Sequence, residues 1–229
     1  MTKRAQFTDH LKQIVYGGND GIVTTFAIVA GFAGAEAQGT AQIGALAVLL
    51  FGLANLFADA TSMGLGEFLS ARAARDMIKR RRATLARDPS AQVDALTTHL
   101  KSRGLSTLDA TTMASLTAKS PVLMAELTLS QVDGIEDPGQ RPLWPRALVT
   151  FVSFVIFGTI PLLPYLLGLP VSTQTRAAVI ATFIALILLG LLRHVATRAG
   201  LVRCVGETVT LGGICAGVAY GVGLIVMGG

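Results

Sequence analysis

The sequence predicts an all-α membrane protein: five transmembrane helices, with a small cytoplasmic helical lobe between the second and the third. Three observations predict it. Of the 229 residues, 52% are hydrophobic and 14% charged, where soluble domains carry about 25% charged residues. The charges are unevenly placed, crowding into residues 67–146 and leaving long stretches with no Lys, Arg, Asp or Glu. Five apolar stretches approach or exceed the length of about 20 residues that crosses a hydrocarbon core of about 30 Å. A secreted mini-protein, a disordered tail and a simple cytosolic enzyme are excluded.

Taken in order, the N-terminal MTKRAQFTDHLKQ is polar and charged and lacks a signal-peptide core, so the mature chain is expected to start near Met1. The spans are expected at 13–34, 41–66, 146–168, 174–192 and 204–227, dividing the chain into 1–66, 67–145 and 146–229. An odd number of spans puts the termini on opposite faces. Lys3, Arg4 and Lys12 precede span one, twelve basic residues lie between Arg72 and Arg146, and Arg193, Arg198 and Arg203 precede span five. Eighteen of nineteen basic residues thus share one side, Arg176 being the exception. The positive-inside rule makes that side cytoplasmic, with the N-terminus inside and the C-terminus outside. The net charge of +5 therefore reads as topology and attraction to anionic lipid, not as a nucleic-acid footprint. Pro161 and Pro164 either kink span three or mark its outer end. Cys204 and Cys215 fall about 16 Å apart on a helix, too far for a disulfide.

In the lobe, Ala71–Ala86 continues span two, Asp88-Pro89 breaks it, and a helix follows from about Pro89 to Ser102, stopped by Gly104. Ser106 with Asp109 resembles a capping box opening a third helix, which ends near Ser120-Pro121. A short fourth helix, Pro121–Val132, precedes the turn-rich GIEDPGQRP. The run Lys79-Arg80-Arg81-Arg82 is expected to anchor the juxtamembrane region to anionic lipid.

Polar residues inside the spans carry the functional signal, because a charged side chain near the bilayer centre costs about 2.5–3.5 kcal/mol on insertion scales. Span one opens YGGNDG, setting Asn19 and Asp20 among glycines that allow close helix approach. Span two carries Asn55, Asp59, Met63 and Glu67 at spacings of four, a slowly drifting stripe on one face. Such residues serve either a transport path or interhelical hydrogen bonding. Carboxylate and amide oxygens suit hard or borderline divalent cations, and a thioether tolerates Fe²⁺ better than Ca²⁺ or Mg²⁺. The carboxylates equally suit proton relay. Glu207, near the inner end of span five, is either a snorkelling helix terminus or part of an inner vestibule. Gly213, Gly217 and Gly221 form a helix-packing seam, within the subunit or between subunits. HExxH, paired CxxC, GxSxG and Walker patterns are absent, and His10, His99 and His194 are scattered without ligand spacing. An enzyme is not expected.

The blocks YGGNDGIVTTFAIVAGFAGA (16–35), ADATSMGLGEFLSARA (58–73), GLS (104–106), LMAEL (123–127) and IPLLPYLL (160–167) resemble, in the same order, the vacuolar iron transporter family. The resemblance implies five spans, a cytoplasmic metal-binding lobe and a homodimer with its path at the subunit interface. It also implies proton-coupled export of Fe²⁺, often Mn²⁺ as well, as transported substrate with no permanently bound cofactor. By position, Asp20 and Met63 match the family's path residues, Glu67 its mouth glutamate, and Met124 and Glu126 part of its lobe metal site.

The first lobe helix departs from that family. Where several glutamates are expected it reads ARAARDMIKRRRATLARDPS, with Asp76 its sole acid before Asp88. Arg80, Arg81 and Arg82 would repel a divalent cation, and Leu123 stands where a methionine is common, so the lobe's multi-metal site is expected to be lost or weakened. Two alternatives follow: a transporter of another divalent metal with a degenerate lobe, or a non-transporting membrane protein whose basic lobe docks a partner or anionic lipid. Fourteen Arg against five Lys, with abundant Ala, suggests a GC-rich bacterium and hence the bacterial inner membrane.

Overall fold

The computed structural model describes residues 3–37, 44–135 and 142–228, with side chains described over 10–37, 44–135 and 142–226. The described residues form helices and turns in the order α1 (Lys3–Ala37), α2 (Ala45–Arg87), α3 (Val93–Ser102), α4 (Thr107–Ala118), α5 (Pro121–Leu127), α6 (Trp144–Thr159), α7 (Leu163–Leu166), α8 (Val171–Thr197) and α9 (Leu201–Gly228). Among the described residues five stretches are long and apolar enough to cross a membrane: 10–37, 45–87, 144–166, 171–197 and 201–226. Two compact units result, residues 1–68 with 144–229, and residues 69–143; α2 contributes to both.

In the first unit α1 is the central helix, packing against α6, α8 and α9. Glycine makes that closeness possible. A Cβ on Gly17 would stand 2.7 Å from the Thr150 carbonyl oxygen, and one on Gly21 would run into the Phe154 carbonyl. At the other end of α1, Gly34 abuts the Tyr220 carbonyl of α9, and Gly223 of α9 abuts the Gly31 carbonyl of α1. These are backbone-to-backbone contacts of the kind small residues permit in membrane bundles. Around them, Phe26 and Val29 pack with Val48, Leu162, Tyr165 and Ala178, while Ile22 packs with Ala185, Leu186 and Leu189.

Helix α2 buries Val48, Gly52, Leu56, Ala60 and Gly64, one residue every four, and exposes Leu46, Leu50, Phe51, Phe57 and Leu65. The buried row meets α6, where Leu56 and Ala60 pack on Phe154. The two prolines of span three end one helix and open another. Helix α6 stops at Thr159, a 3₁₀ turn runs Ile160–Leu162 with Pro161 inside it, Pro164 sits in the first turn of α7, and Gly168 at φ +62 closes the segment.

In the second unit Ile78, Leu85, Ala125 and Leu129 form one core, and Leu96, Ala114 and Met124 another. Asp88 accepts from the Ser90 hydroxyl at 2.6 Å and the Ala91 N–H at 3.2 Å, which holds its carboxyl below the usual range and starts the 3₁₀ turn Ser90–Gln92. Gly104, at φ +100, ends the connection after α3. Ser106 Oγ accepts the Asp109 N–H at 3.1 Å, and the Asp109 carboxylate accepts the Ser106 hydroxyl at 2.6 Å. The cap therefore forms through the serine hydroxyl in both directions, a variant of the box in which the acid takes the N-cap N–H. Ser120 caps α5 in one direction only, its Oγ accepting the Leu123 N–H at 3.4 Å, with Pro121 at the first position, and α5 relaxes into a π turn over Thr128–Val132.

Replacing Gly21 with Ala is expected to destabilise the first unit by about 1–3 kcal/mol, because the new methyl meets backbone that cannot rotate away. Gly66→Ala, where a Cβ meets nothing within 4 Å, should leave the midpoint unchanged or raise it. Thermal unfolding of the detergent-solubilised protein checks the pair.

Candidate functional site

With Gly17, Gly18 and Gly21 turned toward α6 and its neighbours, Asn19 and Asp20 fall on another side of α1, half-buried. They line a cavity of about 620 Å³ between α1, α8 and α9, together with Lys12, Tyr16, Arg193 and Glu207. On α2, Asn55 Nδ2 donates to Asp59 Oδ2 at 2.8 Å. Neither aspartate has a Lys or Arg partner among the described residues. Asn55 also borders a second cavity, about 550 Å³, between α1, α2 and α9, otherwise apolar and walled by Phe32, Phe51 and Val222.

The drift of the α2 stripe has a large cumulative effect. Four residues of α-helix turn about 400°, so each step rotates the side chain by about 40°. Asn55 borders the groove with α9, whereas Met63, half-buried, packs on the Leu56, Ala60 and Phe154 cluster beside Phe151 of α6. One step further, Glu67 Oε1 accepts from Gln13 Nε2 of α1 at 2.9 Å and lies 3.7 Å from Arg146 Nε of α6. The donors therefore wind around α2 rather than run straight along it.

Glu207 sits between Arg193 Nη2 at 2.7 Å and Arg203 Nε at 2.9 Å. It lines the larger cavity as a carboxylate already engaged by two guanidinium groups, tying the end of α8 to the start of α9. Gly213, Gly217 and Gly221 meet nothing within 4 Å of an added Cβ; the α9 glycines that pack inside the chain are Gly212, against Leu186, and Gly223, against α1.

In the second unit Met124 is fully buried in the Leu96 and Ala114 cluster, and Glu126 is paired with Arg82 at 3.1 Å. Arg81 is paired with Asp133 at 2.8 Å. Half of the Lys79–Arg82 run is thus directed to acids of the same unit. Among the described residues no group of three or more His, Cys, Asp or Glu side chains is placed to hold a metal ion.

Sequence reasoning passed over Gln13 and Arg146. Arg146 counted only as inside charge at the head of a span, and Gln13 as the last residue of a polar leader. The signal available was a lone amide seven residues before Asp20, two helical turns earlier on α1.

The sequence model of the VIT family matches residues 11–224. The chain is 32% identical to the vacuolar iron transporter of Toxoplasma gondii over 96% of its own length and 75% of that protein's. It is 28% identical to the vacuolar iron transporter of Plasmodium falciparum, covering 95% of this chain and 82% of that one. With vacuolar iron transporter 1 of Arabidopsis thaliana the identity is 27%, over 92% and 83% respectively.

Met124→Ala is expected to destabilise the second unit by about 2–5 kcal/mol, the usual cost of emptying a core methionine position. Hydrogen exchange over residues 93–118 reads this out. Unchanged exchange combined with lost divalent-cation binding would instead make Met124 a ligand.

Proposed function

The chain belongs to the VIT family, and from that premise we propose that it is an integral membrane transporter of divalent transition metal, exporting Fe²⁺, with Mn²⁺ as a second substrate, in exchange for protons. The observation that carries this reading is the pair Asp20 and Asp59. They come from different helices and lack a basic partner among the described residues; Asp20 lines one open cavity, and Asp59 is hydrogen-bonded to Asn55, which borders the other. A carboxylate at membrane depth needs a compensating positive charge. A divalent cation moving past supplies it in one state, and protons in another.

Metal enters from the cytoplasm at Glu67 and passes Met63, Asp59 and Asp20, with Asn19 and Asn55 adding amide oxygens. The distribution of Lys and Arg supports a cytoplasmic N-terminus and lobe and an outside C-terminus, in a bacterial inner membrane. A homodimer fits the exposed side of the first unit. The groove holding Asn55 is open, and a Cβ added at Gly213, Gly217 or Gly221, on one face of α9, would meet nothing within 4 Å among the described residues. A second copy would close the groove and fill that face.

The lobe contributes little metal collection in this reading, since its glutamate is held by Arg82 and its methionine lies in the core. The same pairing weighs against a lobe that exists to dock anionic partners, because Arg81 and Arg82 meet acids of their own unit.

Purified protein in liposomes is expected to carry Fe²⁺ and Mn²⁺ across the bilayer, faster when the receiving side is acidic. Asp20→Ala or Met63→Ala should abolish the flux while the oligomer still forms. Undiminished flux in both variants would remove the path, and flux indifferent to an imposed pH gradient would remove proton exchange.

A further inference from the structure

Glu67 is held from two sides at the inner end of the first unit. Gln13 is 5% exposed and spends its amide NH₂ on Glu67 Oε1, leaving its carbonyl oxygen buried with no hydrogen-bond partner. A carboxylate accepts only from the NH₂ end of an amide, which fixes this orientation. An orphaned buried acceptor loses its hydration without recompense. Arg146 approaches the same oxygen at 3.7 Å, beyond hydrogen-bonding distance, and its Nε is likewise buried and unbonded. Both recorded contacts fall on Oε1, so no partner holds Oε2 among the described residues. The geometry is that of a carboxylate with a loosely held positive charge beside it and an unused oxygen ligand on the next helix.

Resting on the transport reading above, we propose that Arg146 is a tethered counter-cation that an incoming divalent metal ion displaces from Glu67, and that Gln13 supplies the second oxygen ligand at that entry site. When the metal ion arrives, the Arg146 side chain, one-third exposed, swings toward solvent. The Gln13 amide turns its carbonyl oxygen to the cation, which satisfies the acceptor now left orphaned. Amide and carboxylate oxygens are ligands that Mn²⁺ and Fe²⁺ accept. When the metal ion moves inward, Arg146 returns and neutralises Glu67, so the carboxylate is never left bare at the membrane edge. Arg146 is on this account a positioning residue that sets the threshold concentration for entry.

The test is Mn²⁺ flux in proteoliposomes over a concentration series at fixed pH, for the wild type, R146Q, R146K and Q13E, with Mn²⁺ binding in detergent followed by electron paramagnetic resonance. Removing the competing charge in R146Q should lower KM about three- to tenfold, the effect falling on KM rather than Vmax. R146K, which restores the charge, should return KM toward the wild-type value. Q13E, which adds a second carboxylate, should also lower KM. An unchanged or raised KM in R146Q overturns the proposal. If R146Q is not recovered folded, the same outcome in Q13E does so. Absent flux in the wild type, with tighter Mn²⁺ binding in R146Q, would overturn the transport reading and keep the entry site; normal flux with KM and Kd unmoved in R146Q would overturn the entry site alone.

Discussion

An ionised carboxylate within a hydrocarbon layer persists only where something replaces the water it has lost. Asp20 and Asp59 have no arginine or lysine partner among the described residues, and the hydrogen bond from Asn55 supplies one donor only. Asp20 also lines the cavity between α1, α8 and α9. On a neighbouring side of α1, Gly17 and Gly21 let α6 pack directly against its backbone.

Elsewhere the same bundle holds its acids differently. Glu67 and Glu207 both have guanidinium neighbours, one loosely at 3.7 Å and one tightly at 2.7 and 2.9 Å. A tight double pair fastens two helices and makes a poor ligand, since a metal ion would have to displace two arginines. The long contact at Glu67 leaves its carboxylate available. Two glutamates that look alike in sequence therefore differ in how tightly their neighbours hold them. In the second unit arginines also meet acids, and Glu126 is directed to Arg82 rather than left open.

Much was legible in the sequence because its signals are one-dimensional. Apolar length defines spans, Lys and Arg asymmetry defines expected sidedness, and Gly104, Ser106 and Ser120 punctuate the helices between residues 88 and 128 by local geometry alone. The polar residues of the spans stood out against their apolar surroundings, so Asn19, Asp20, Asn55 and Asp59 were recognisable before any coordinates. Glycines were legible as a class but not by partner. Gly213, Gly217 and Gly221 have the regular spacing, yet Gly212 and Gly223 make the contacts inside the chain, because spacing says which residues share a face and not which face meets another helix.

By itself, then, the sequence determined that the chain is all-helical with five stretches apolar enough to cross a membrane, since that depends on the contrast between side chain and lipid. Tertiary structure alone decided which groups stand opposite the acids. Gln13, Glu67 and Arg146 lie on three helices and more than fifty residues apart along the chain at each step. Their meeting depends on the rotation of α2 accumulated over several turns and on how closely glycine lets α1 approach α6, and neither quantity is written in any local pattern.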